Sequence, residues 1–513
     1  MVSFLEFSVC SIILTFRSLP LALGIAAGMK AYRFPEGFNW GTATASYQIE
    51  GGKGGRAPCI WDAFCKTEGR VVNGDNGDLA CDHFTLYKED VKIMKASDWG
   101  SLAIILNMGL KNYRLSIAMP RIFPGGQGPA NEEGIAFYNG LIDCLLDAGI
   151  TPCVTLYHWD LPLELETEHG GWQNYITVER FLEYAEVCFE RFGDRVKSWL
   201  TFNEPWCAAV LGYGNGEMAP GCTSSDAVKV YRAGHHMLLG HARAVEIYRK
   251  KFQTAQNGVI GITLNCNWTE PKPSDDPETA KLNAEAAERS VLWNLGWFAD
   301  PVYKGDYPEV MRNRCGDRLP EFTAEEKALL KGSSDFFGLN HYSTDYAEDD
   351  SGPGHYVSHW GTVNTGGFWG DMAVRGSTDP SWAKTDMGWP IVPWGFRKLL
   401  LWIQARYSPE GGIQVTENGA AVNEPTVDLA VDDKARIVYY EGYLKEMHAA
   451  IQLGADVRAY YAWSFMDNFE WAYGYSKRFG LVHVDYNTMK RTPKSSLKWF
   501  SKVLSTNTLE VDE

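Results

Sequence analysis

Short apolar runs alternate along the chain with longer segments in which apolar residues recur every three or four positions. The short runs predict β-strands, because they are rich in β-branched and aromatic residues and are bounded by turn-forming residues. They lie at Phe38–Ala43, Asn112–Ile117, Ile150–Tyr157, Ser198–Asn203, Val259–Asn265, Asp335–Asn340, Ile413–Glu417 and Val457–Ser464. The longer segments have the periodicity of amphipathic helices. Examples are Phe84–Lys95, Glu132–Ala148, Val178–Phe192, Ala227–Lys251, Pro277–Ala299, Trp394–Tyr407 and Asp432–Leu453.

Eight predicted strands separated by helices indicate the fold class, which is α/β. Strands joined through helices pair in parallel as βαβ units, and eight such units close a single (β/α)8 TIM barrel. The barrel is predicted over residues 29–505, followed by a short tail at 506–513. Two long loops, 51–82 and 341–390, each follow a strand. We therefore expect both at the C-terminal mouth of the barrel, where barrel proteins form their sites.

Residues 1–28 precede the barrel and leave two interpretations open. The segment is apolar, as a signal peptide is, but it lacks a basic start, and Glu6 and Arg17 interrupt it. It is therefore either a weak signal-like segment or an N-terminal extension. The 11 cysteines form no CxxC pair, which favours free thiols and a reducing compartment. A cytoplasmic protein is predicted, or a secreted one if residues 1–28 are a cleaved signal.

The composition argues against two kinds of partner. The chain carries 48 Lys and Arg against 64 Asp and Glu, a net charge of −16, whereas nucleic acids and anionic membranes attract basic surfaces. No nucleic-acid or membrane partner is therefore expected. The 19 tryptophans are more than core packing requires. They indicate flat binding surfaces, because Trp combines a large apolar ring with a hydrogen-bond donor.

Polar and aromatic side chains gather at the ends of the predicted strands. In chain order these are Gln48, Arg114, His158, Trp159, Asn203, Glu204, Asn340, Tyr342, Glu417 and Trp463. A buried polar group is costly unless it is paired. A ring of such groups at one mouth of a barrel is therefore more easily explained by function than by packing.

Two carboxylates in this ring, Glu204 and Glu417, suggest a reaction. Each ends an apolar strand and has an asparagine neighbour, Asn203 or Asn418. The fourth and seventh strands lie on different sides of the mouth, so the two groups would face each other. Opposed carboxyl groups suit glycoside hydrolysis, in which one protonates the leaving oxygen and the other attacks the anomeric carbon or activates water. From position alone, two unrelated surface glutamates remain the alternative.

Six motifs, in order between residues 34 and 481, resemble those of the glycoside hydrolase family 1 β-glucosidases. The resemblance as a whole runs from about Arg33 to about Leu504. They are FPEGFNWGTATASYQIE at 34–50, TLYHWDLP at 155–162, TFNEPW at 201–206, VTENG at 415–419, WSFMDNFEW at 463–471 and YSKRFGL at 475–481. A single short motif such as Asn-Glu-Pro is weak evidence, whereas six long motifs in the same order are close to decisive.

The resemblance implies a retaining β-glucosidase that needs no cofactor. Its substrates would be small molecules, namely oligosaccharides such as cellobiose or aryl and alkyl glucosides, from which it hydrolyses terminal non-reducing β-D-glucosyl residues. By matching position, Glu204 is the acid/base and Glu417 the nucleophile, about 5 Å apart. Arg114 and Tyr342 would favour the charged form of the nucleophile. The residues implied to bind the sugar are Gln48, His158, Trp159, Asn203, Asn340, Tyr342, Trp463, Glu470, Trp471 and Phe479.

Other functions stay open beside this one. The alternatives are another β-glycosidase, acting on a galactoside, a fucoside or a 6-phospho-glycoside, and a catalytically silent sugar-binding barrel. Glu470 disfavours the phosphorylated sugars, because its charge would repel a phosphate. A silent barrel is expected to lack one of the two carboxylates. The sequence also leaves open a homo-oligomer.

Some features fall outside the motifs or depart from the family pattern. The histidines His235, His236 and His241 lie on a predicted helix without the HExxH pattern, so no metal site is expected. Met119 stands where the family usually has Trp. Residues 97–107 insert between the first helix and the second strand, as a helix extension, an interface or a gene-model artefact. The tryptophans expected on the aglycone side are Trp206, Trp360, Trp369, Trp382 and Trp389.

Overall fold

The computed structural model describes residues 29–95, 110–350, 356–357, 363–364 and 366–512. Three features singled out in the sequence lie outside these residues. They are the signal-like segment at 1–28, the insertion at 97–107 and Trp360.

Eight parallel strands close a barrel, as the sequence predicted. We number them β1 to β8: Asn39–Ala43, Asn112–Ser116, Thr151–Tyr157, Ser198–Asn203, Val259–Asn265, Phe337–Asn340, Ile413–Asn418 and Val457–Trp463. Each strand pairs with the next in the chain, and β8 pairs with β1. The predicted (β/α)8 fold is therefore confirmed, and the predicted strand limits are within two residues of the observed ones.

The barrel strands read as continuous apolar runs because both of their faces are buried. Val154 on β3, Leu200 on β4 and Val415 on β7 are all fully buried. Since the strands are parallel, their C-terminal ends lie at one mouth of the barrel, where the predicted strand-end residues therefore gather.

Helices surround the barrel and follow the predicted positions closely. The long ones are His83–Lys95, Glu132–Asp147, Tyr175–Phe192, Val228–Lys251, Pro277–Val291, Trp297–Lys304, Pro393–Tyr407, Lys434–Gln452 and Ser495–Thr506. The short ones are Ser46–Ile49, Ile60–Cys65, Met119–Ile122, Leu163–His169, Gln253–Gln256, Glu309–Cys315, Ala324–Leu330, Gly367–Met372 and Val427–Val431. Among the helices described, none combines the length and apolar character needed to cross a lipid bilayer.

The predicted helix Pro277–Ala299 is interrupted. A π-helical turn, Leu292–Gly296, separates Pro277–Val291 from Trp297–Lys304. Gly296 packs so tightly in this turn that a Cβ atom there would lie 2.9 Å from Leu292. Periodicity alone does not reveal such a turn, because apolar residues continue through it.

Further strands pair outside the barrel. They are Met29–Arg33, Trp268–Pro271, Thr344–Asp349, Tyr356–Val357, Val363–Asn364, Val374–Ser377, Val482–Asp485, Lys490–Pro493 and Thr508–Asp512. Three of them, Trp268–Pro271, Thr344–Asp349 and Val374–Ser377, form one sheet. Most of that sheet belongs to the long loop that follows β6.

The two ends of the described chain pair with each other. Met29–Arg33 runs antiparallel to Thr508–Asp512. Asn507 joins them to the barrel, because its Oδ1 accepts from Trp40 Nε1 at 2.8 Å and its Nδ2 donates to the Phe34 carbonyl at 3.1 Å. The segment at 506–513, which the sequence set apart as a short tail, therefore contains a strand that packs with the start of the barrel domain.

Candidate active site

The predicted site residues converge on the C-terminal mouth of the barrel. Arg114 lies on β2, Asn203 ends β4, Asn340 ends β6 and Trp463 ends β8. Glu417 lies on β7 itself, Gln48 lies in the short helix Ser46–Ile49 after β1, and Trp471 begins a 3₁₀ turn after β8. The remaining predicted residues lie in segments that follow strand ends. The strand-end positions therefore place these polar groups around one pocket.

Glu417 is buried and both of its carboxyl oxygens have partners. Arg114 Nη1 donates to Oε1 at 2.5 Å, and the Tyr342 hydroxyl donates to Oε2 at 2.7 Å. Burial raises the pKa of Glu417, while the Arg114 guanidinium and the Tyr342 hydroxyl act in the opposite direction. A cation and a hydroxyl donor both stabilise the carboxylate form.

Glu204 directly follows β4 and adopts a φ of +47°. Non-glycine residues seldom adopt this left-handed region, and such strain is concentrated at functional sites. Its neighbours are neutral, since Asn340 Nδ2 donates to Oε1 at 2.7 Å and Cys207 Sγ donates to Oε2 at 3.1 Å. Burial, followed by the charge of Glu417, raises the pKa of Glu204 to about 7.

The surroundings therefore give the two carboxyl groups different states. Glu417 is paired with a guanidinium, whereas Glu204 contacts an amide and a thiol. Two buried carboxyl groups that share a pocket cannot both ionise cheaply. The guanidinium partner favours the charged form of Glu417, and the neutral partners of Glu204 favour its protonated form.

An amide network sits between the carboxyl groups. Asn340 Oδ1 accepts from the hydroxyls of Thr416 at 2.7 Å and Thr263 at 3.1 Å, so the amide nitrogen faces Glu204 and Asn203. Asn203 Oδ1 in turn accepts from Arg114 Nη2 at 2.7 Å. Sequence reasoning missed both threonines. Both lie inside apolar strand runs. The available signal for Thr416 was a polar residue next to Glu417, whereas Thr263 has only apolar neighbours in the sequence.

Three of the predicted sugar-binding residues carry a buried polar atom that has no hydrogen-bond partner among the described residues. These atoms are Gln48 Oε1, His158 Nδ1 and Glu470 Oε2. Gln48 is held by its amide nitrogen, which donates to the Phe469 carbonyl at 2.8 Å and to Asn468 Oδ1 at 3.0 Å. Since a buried polar atom without a partner is costly, these three atoms are well suited to receive the hydroxyls of a ligand.

Burial also sets the protonation of the two titratable members of this set. Burial, followed by the charges of Glu417 and Glu204, raises the pKa of Glu470 to about 8. Burial and the nearby Arg114 lower the pKa of His158 well below its ordinary value. His158 is therefore a neutral imidazole, and its Nε2 contacts Asn203 Nδ2 at 3.0 Å.

Comparison with known proteins identifies the family. The model for glycosyl hydrolase family 1 matches residues 30–509. The chain belongs to glycosyl hydrolase family 1.

Named relatives of this family 1 hydrolase agree with that placement. Beta-glucosidase 4 of Oryza sativa subsp. japonica is 43% identical over 488 residues, which cover 92% of this chain and 95% of the relative. Beta-glucosidase 1B of Phanerodontia chrysosporium is 44% identical over 490 residues, 92% of this chain and 85% of the relative.

A solved structure also superposes closely on this family 1 hydrolase. It is a mutant of the rice Os3BGlu6 beta-glucosidase in a covalent complex with Glc from GA4GE, 41% identical with a TM-score of 0.84. The match covers 91% of this chain and 98% of the rice chain.

Aromatic rings form one wall of the pocket of this family 1 hydrolase. The His158 ring stacks on Trp463 and on Trp471, with centroid distances of 5.9 Å in both cases. Trp159 packs against Trp471 at 4.6 Å, and its Nε1 donates to the Asn203 carbonyl at 2.9 Å. On another side, Phe479 lies edge-on to Tyr342 at 6.2 Å. The predicted sugar-binding residues are thus brought together in one place.

Tryptophans expected on the aglycone side fall into two groups. Trp389 contacts Tyr342, the partner of Glu417, at 5.4 Å, and Trp369 contacts Trp206, two residues after Glu204, at 6.0 Å. Trp382 instead packs on Tyr346 at 4.7 Å, in the sheet beside the barrel.

The three helical histidines have structural partners. His241 contacts the hydroxyls of Thr201 at 2.7 Å and Ser333 at 3.1 Å, and His235 contacts the Tyr307 hydroxyl at 3.0 Å. His236 Nδ1 bonds the Trp172 carbonyl at 2.7 Å. Within the described ranges, no cluster of three or more His, Cys, Asp or Glu side chains could hold a metal ion.

Proposed function

We propose that this family 1 hydrolase is a retaining β-glucosidase that releases terminal β-D-glucosyl residues from oligosaccharides such as cellobiose or from aryl and alkyl glucosides. The observation that carries the proposal is the difference between two buried carboxyl groups. Arg114 and Tyr342 hold Glu417, whereas Glu204 lies between two neutral donors. The β-glucosidase names of its relatives support the same activity.

In the first step, Glu204 and Glu417 act on opposite sides of the scissile bond. A carboxylate oxygen of Glu417 attacks the anomeric carbon while the bond from that carbon to the leaving oxygen breaks. The proton of Glu204 goes to the leaving oxygen, which departs as an alcohol. The product is a glucosyl ester of Glu417.

In the second step, the roles of the carboxyl groups change. The esterified Glu417 carries no charge, so the repulsion that raises the pKa of Glu204 is removed. Glu204, now ionised, takes a proton from water as the water oxygen attacks the anomeric carbon and displaces Glu417. Two displacements at one carbon return the β configuration.

Sugar recognition is assigned to the buried polar atoms without protein partners. Gln48, His158 and Glu470 present these atoms to the pocket, and Trp463 stacks beside them as a platform for the sugar ring. Hydrogen bonds to hydroxyls discriminate between sugars more strongly than apolar contact does. Glu470 also argues against a 6-phosphorylated sugar, because it would present a phosphate with a carboxyl group rather than with a cation.

The proposal is tested by the anomer that the enzyme first releases. Proton NMR of early turnover with 4-nitrophenyl β-glucoside, which releases glucose from one position only, should show β-glucose before mutarotation. Parallel assays with the β-galactoside, β-fucoside and 6-phospho-β-glucoside should show the highest kcat/KM for the glucoside. Release of α-glucose would contradict retention, and a preference for another glycoside would contradict the assigned sugar.

A further inference from the structure

Cys207 contacts the acid/base carboxyl group and has no role in the reaction described above. It lies three residues after Glu204 and begins a π-helical turn, Cys207–Gly212. Such turns are frequent at functional sites. Its Sγ lies 3.1 Å from Glu204 Oε2. Burial, followed by the charge of Glu204, raises the pKa of Cys207 well above its ordinary value, so the thiol keeps its proton.

The other carboxyl oxygen of Glu204, Oε1, is an unfavourable position for the catalytic proton. Oε1 faces Asn340 Nδ2 at 2.7 Å. The orientation of that amide is fixed, because Asn340 Oδ1 accepts from two threonine hydroxyls. An amide N–H only donates, so a proton on Oε1 would face another proton. The acidic proton is therefore placed on Oε2, the oxygen that Cys207 contacts.

We propose that Cys207 is a positioning residue that sets how readily Glu204 gives up and regains its proton on Oε2. A thiol is both a weak donor and a weak acceptor. It donates to Oε2 when Glu204 is ionised, and it leaves Oε2–H free to turn to the leaving oxygen when Glu204 is protonated. The inference rests on the acid/base role proposed for Glu204.

Other titratable groups around Glu204 form no hydrogen bond with the Cys207 thiol among the contacts described. They are Glu417 on β7, Arg114 on β2, Tyr342 after β6 and Glu470 after β8. The contacts described for Glu417 with Arg114 and Tyr342 do not involve the thiol. A substitution at 207 therefore changes the partner of Oε2 without removing another charge.

The test compares Cys207→Ser and Cys207→Ala in the full-length enzyme by the pH profile of kcat/KM for octyl β-glucoside. The alkaline limb of this profile reports the acid in the free enzyme. A hydroxyl donates more strongly to a carboxylate, so Cys207→Ser should move the limb by about 0.5 pH unit to lower pH. Loss of the donor in Cys207→Ala should move it by about 0.5 pH unit to higher pH.

Two controls separate positioning from a general effect on the fold. Cys144→Ser changes a partly buried thiol on the helix Glu132–Asp147 and should leave the limb unchanged. With 2,4-dinitrophenyl β-glucoside, whose leaving group needs little protonation, both Cys207 variants should keep near-wild-type kcat/KM below neutral pH. That activity also shows that the variants are folded.

The outcomes also distinguish this inference from the proposed function. If Ser and Ala move the limb in the same direction, or leave it unmoved, while Glu204→Gln is inactive on octyl β-glucoside, only the role of Cys207 is refuted. If Glu204→Gln retains full activity on octyl β-glucoside, the acid/base assignment itself fails. A shift to lower pH in Cys207→Ser and to higher pH in Cys207→Ala, together with an inactive Glu204→Gln, supports both the role of Cys207 and the acid/base assignment.

Discussion

Three buried carboxyl groups share one pocket, and the neighbours of each determine its state. Glu417 contacts a guanidinium, Glu204 contacts an amide and a thiol, and Glu470 has an oxygen without a protein partner. Residue type alone does not distinguish the three. Their protonation follows from burial and from which charges lie nearby.

Substitution of Glu470 tests sugar recognition. Glu470→Gln keeps the size of the side chain but replaces its carboxyl group with an amide. We expect KM for 4-nitrophenyl β-glucoside to rise about tenfold, which corresponds to the loss of one hydrogen bond of about 1.4 kcal/mol. The ratio of kcat/KM for the β-glucoside to kcat/KM for the β-galactoside should also fall. Steady-state kinetics on both substrates measure the two effects.

A matched control for this substitution is available on the surface. Glu325 lies in the first turn of the helix Ala324–Leu330 and is exposed, so Glu325→Gln should leave both kinetic constants unchanged. If Glu470→Gln behaves like this control, Glu470 does not bind the sugar.

At this scale the sequence predicted the residues of the site but not all of their partners. Strand-end position alone pointed to Glu204 and Glu417, and the motifs supplied Glu470 and Phe479. The sequence did not predict a role for Thr263, Thr416 or Cys207, because their importance lies in the site atoms that they contact. Such contacts depend on neighbours from separate strands, which a single sequence does not display.

At the scale of elements, the local pattern of apolar and polar residues predicted most of the strands and helices. Each barrel strand is a buried apolar run and most long helices have a buried stripe, so these elements were predicted, whereas the helix Ser495–Thr506 was not among those named. The pairing of Met29–Arg33 with Thr508–Asp512 was not predicted, because the partners are more than 470 residues apart. The π-helical turn at Leu292–Gly296 was missed because it preserves an apolar sequence.

The terminal strand pair should stabilise the fold without contributing to catalysis. Removal of residues 508–513 exposes surface that Leu509 and Val511 bury. Burial of two such side chains is worth about 3 to 6 kcal/mol. We expect Tm to fall by several degrees and KM for the glucoside to stay unchanged, as measured by calorimetry and kinetics.

Deletion of Glu513 alone is the control for this truncation, because it leaves the paired strand Thr508–Asp512 whole. A truncated enzyme with an unaltered Tm would show that the strand pair contributes nothing to stability. A changed KM would show that it influences the mouth of the barrel.

For the whole molecule, the buried carboxyl groups of the active site should make the free energy of unfolding decrease as pH rises. The pKa of Glu204 is raised to about 7 and that of Glu470 to about 8, both chiefly by burial. A carboxyl group with a raised pKa binds more protons in the folded state than in the unfolded state. Its contribution to stability is therefore full below about pH 4.5 and declines as pH rises to about 8.

The pH dependence of stability predicts that a substitution of Glu470 that weakens substrate binding also makes the enzyme more stable. Glu470→Gln removes the cost of ionising a buried carboxyl group, so its Tm should exceed that of the wild type by several degrees at pH 8. The two should differ little at pH 5. Buried aspartates with lowered pKa, such as Asp467 and Asp90, lose their contribution only at lower pH. Calorimetry at both pH values measures the gain, and equal Tm values at pH 8 would refute it.

The covalent step on Glu417 is the central claim, and trapping it is the most direct test. With 2,4-dinitrophenyl 2-deoxy-2-fluoro-β-glucoside, the good leaving group permits the first displacement while the fluorine slows the second. Mass spectrometry of the digested enzyme should find one fluoroglucosyl group per chain, attached to Glu417, and none in Glu417→Gln. A label on any other residue, or hydrolysis that proceeds without a trapped ester, would contradict the mechanism.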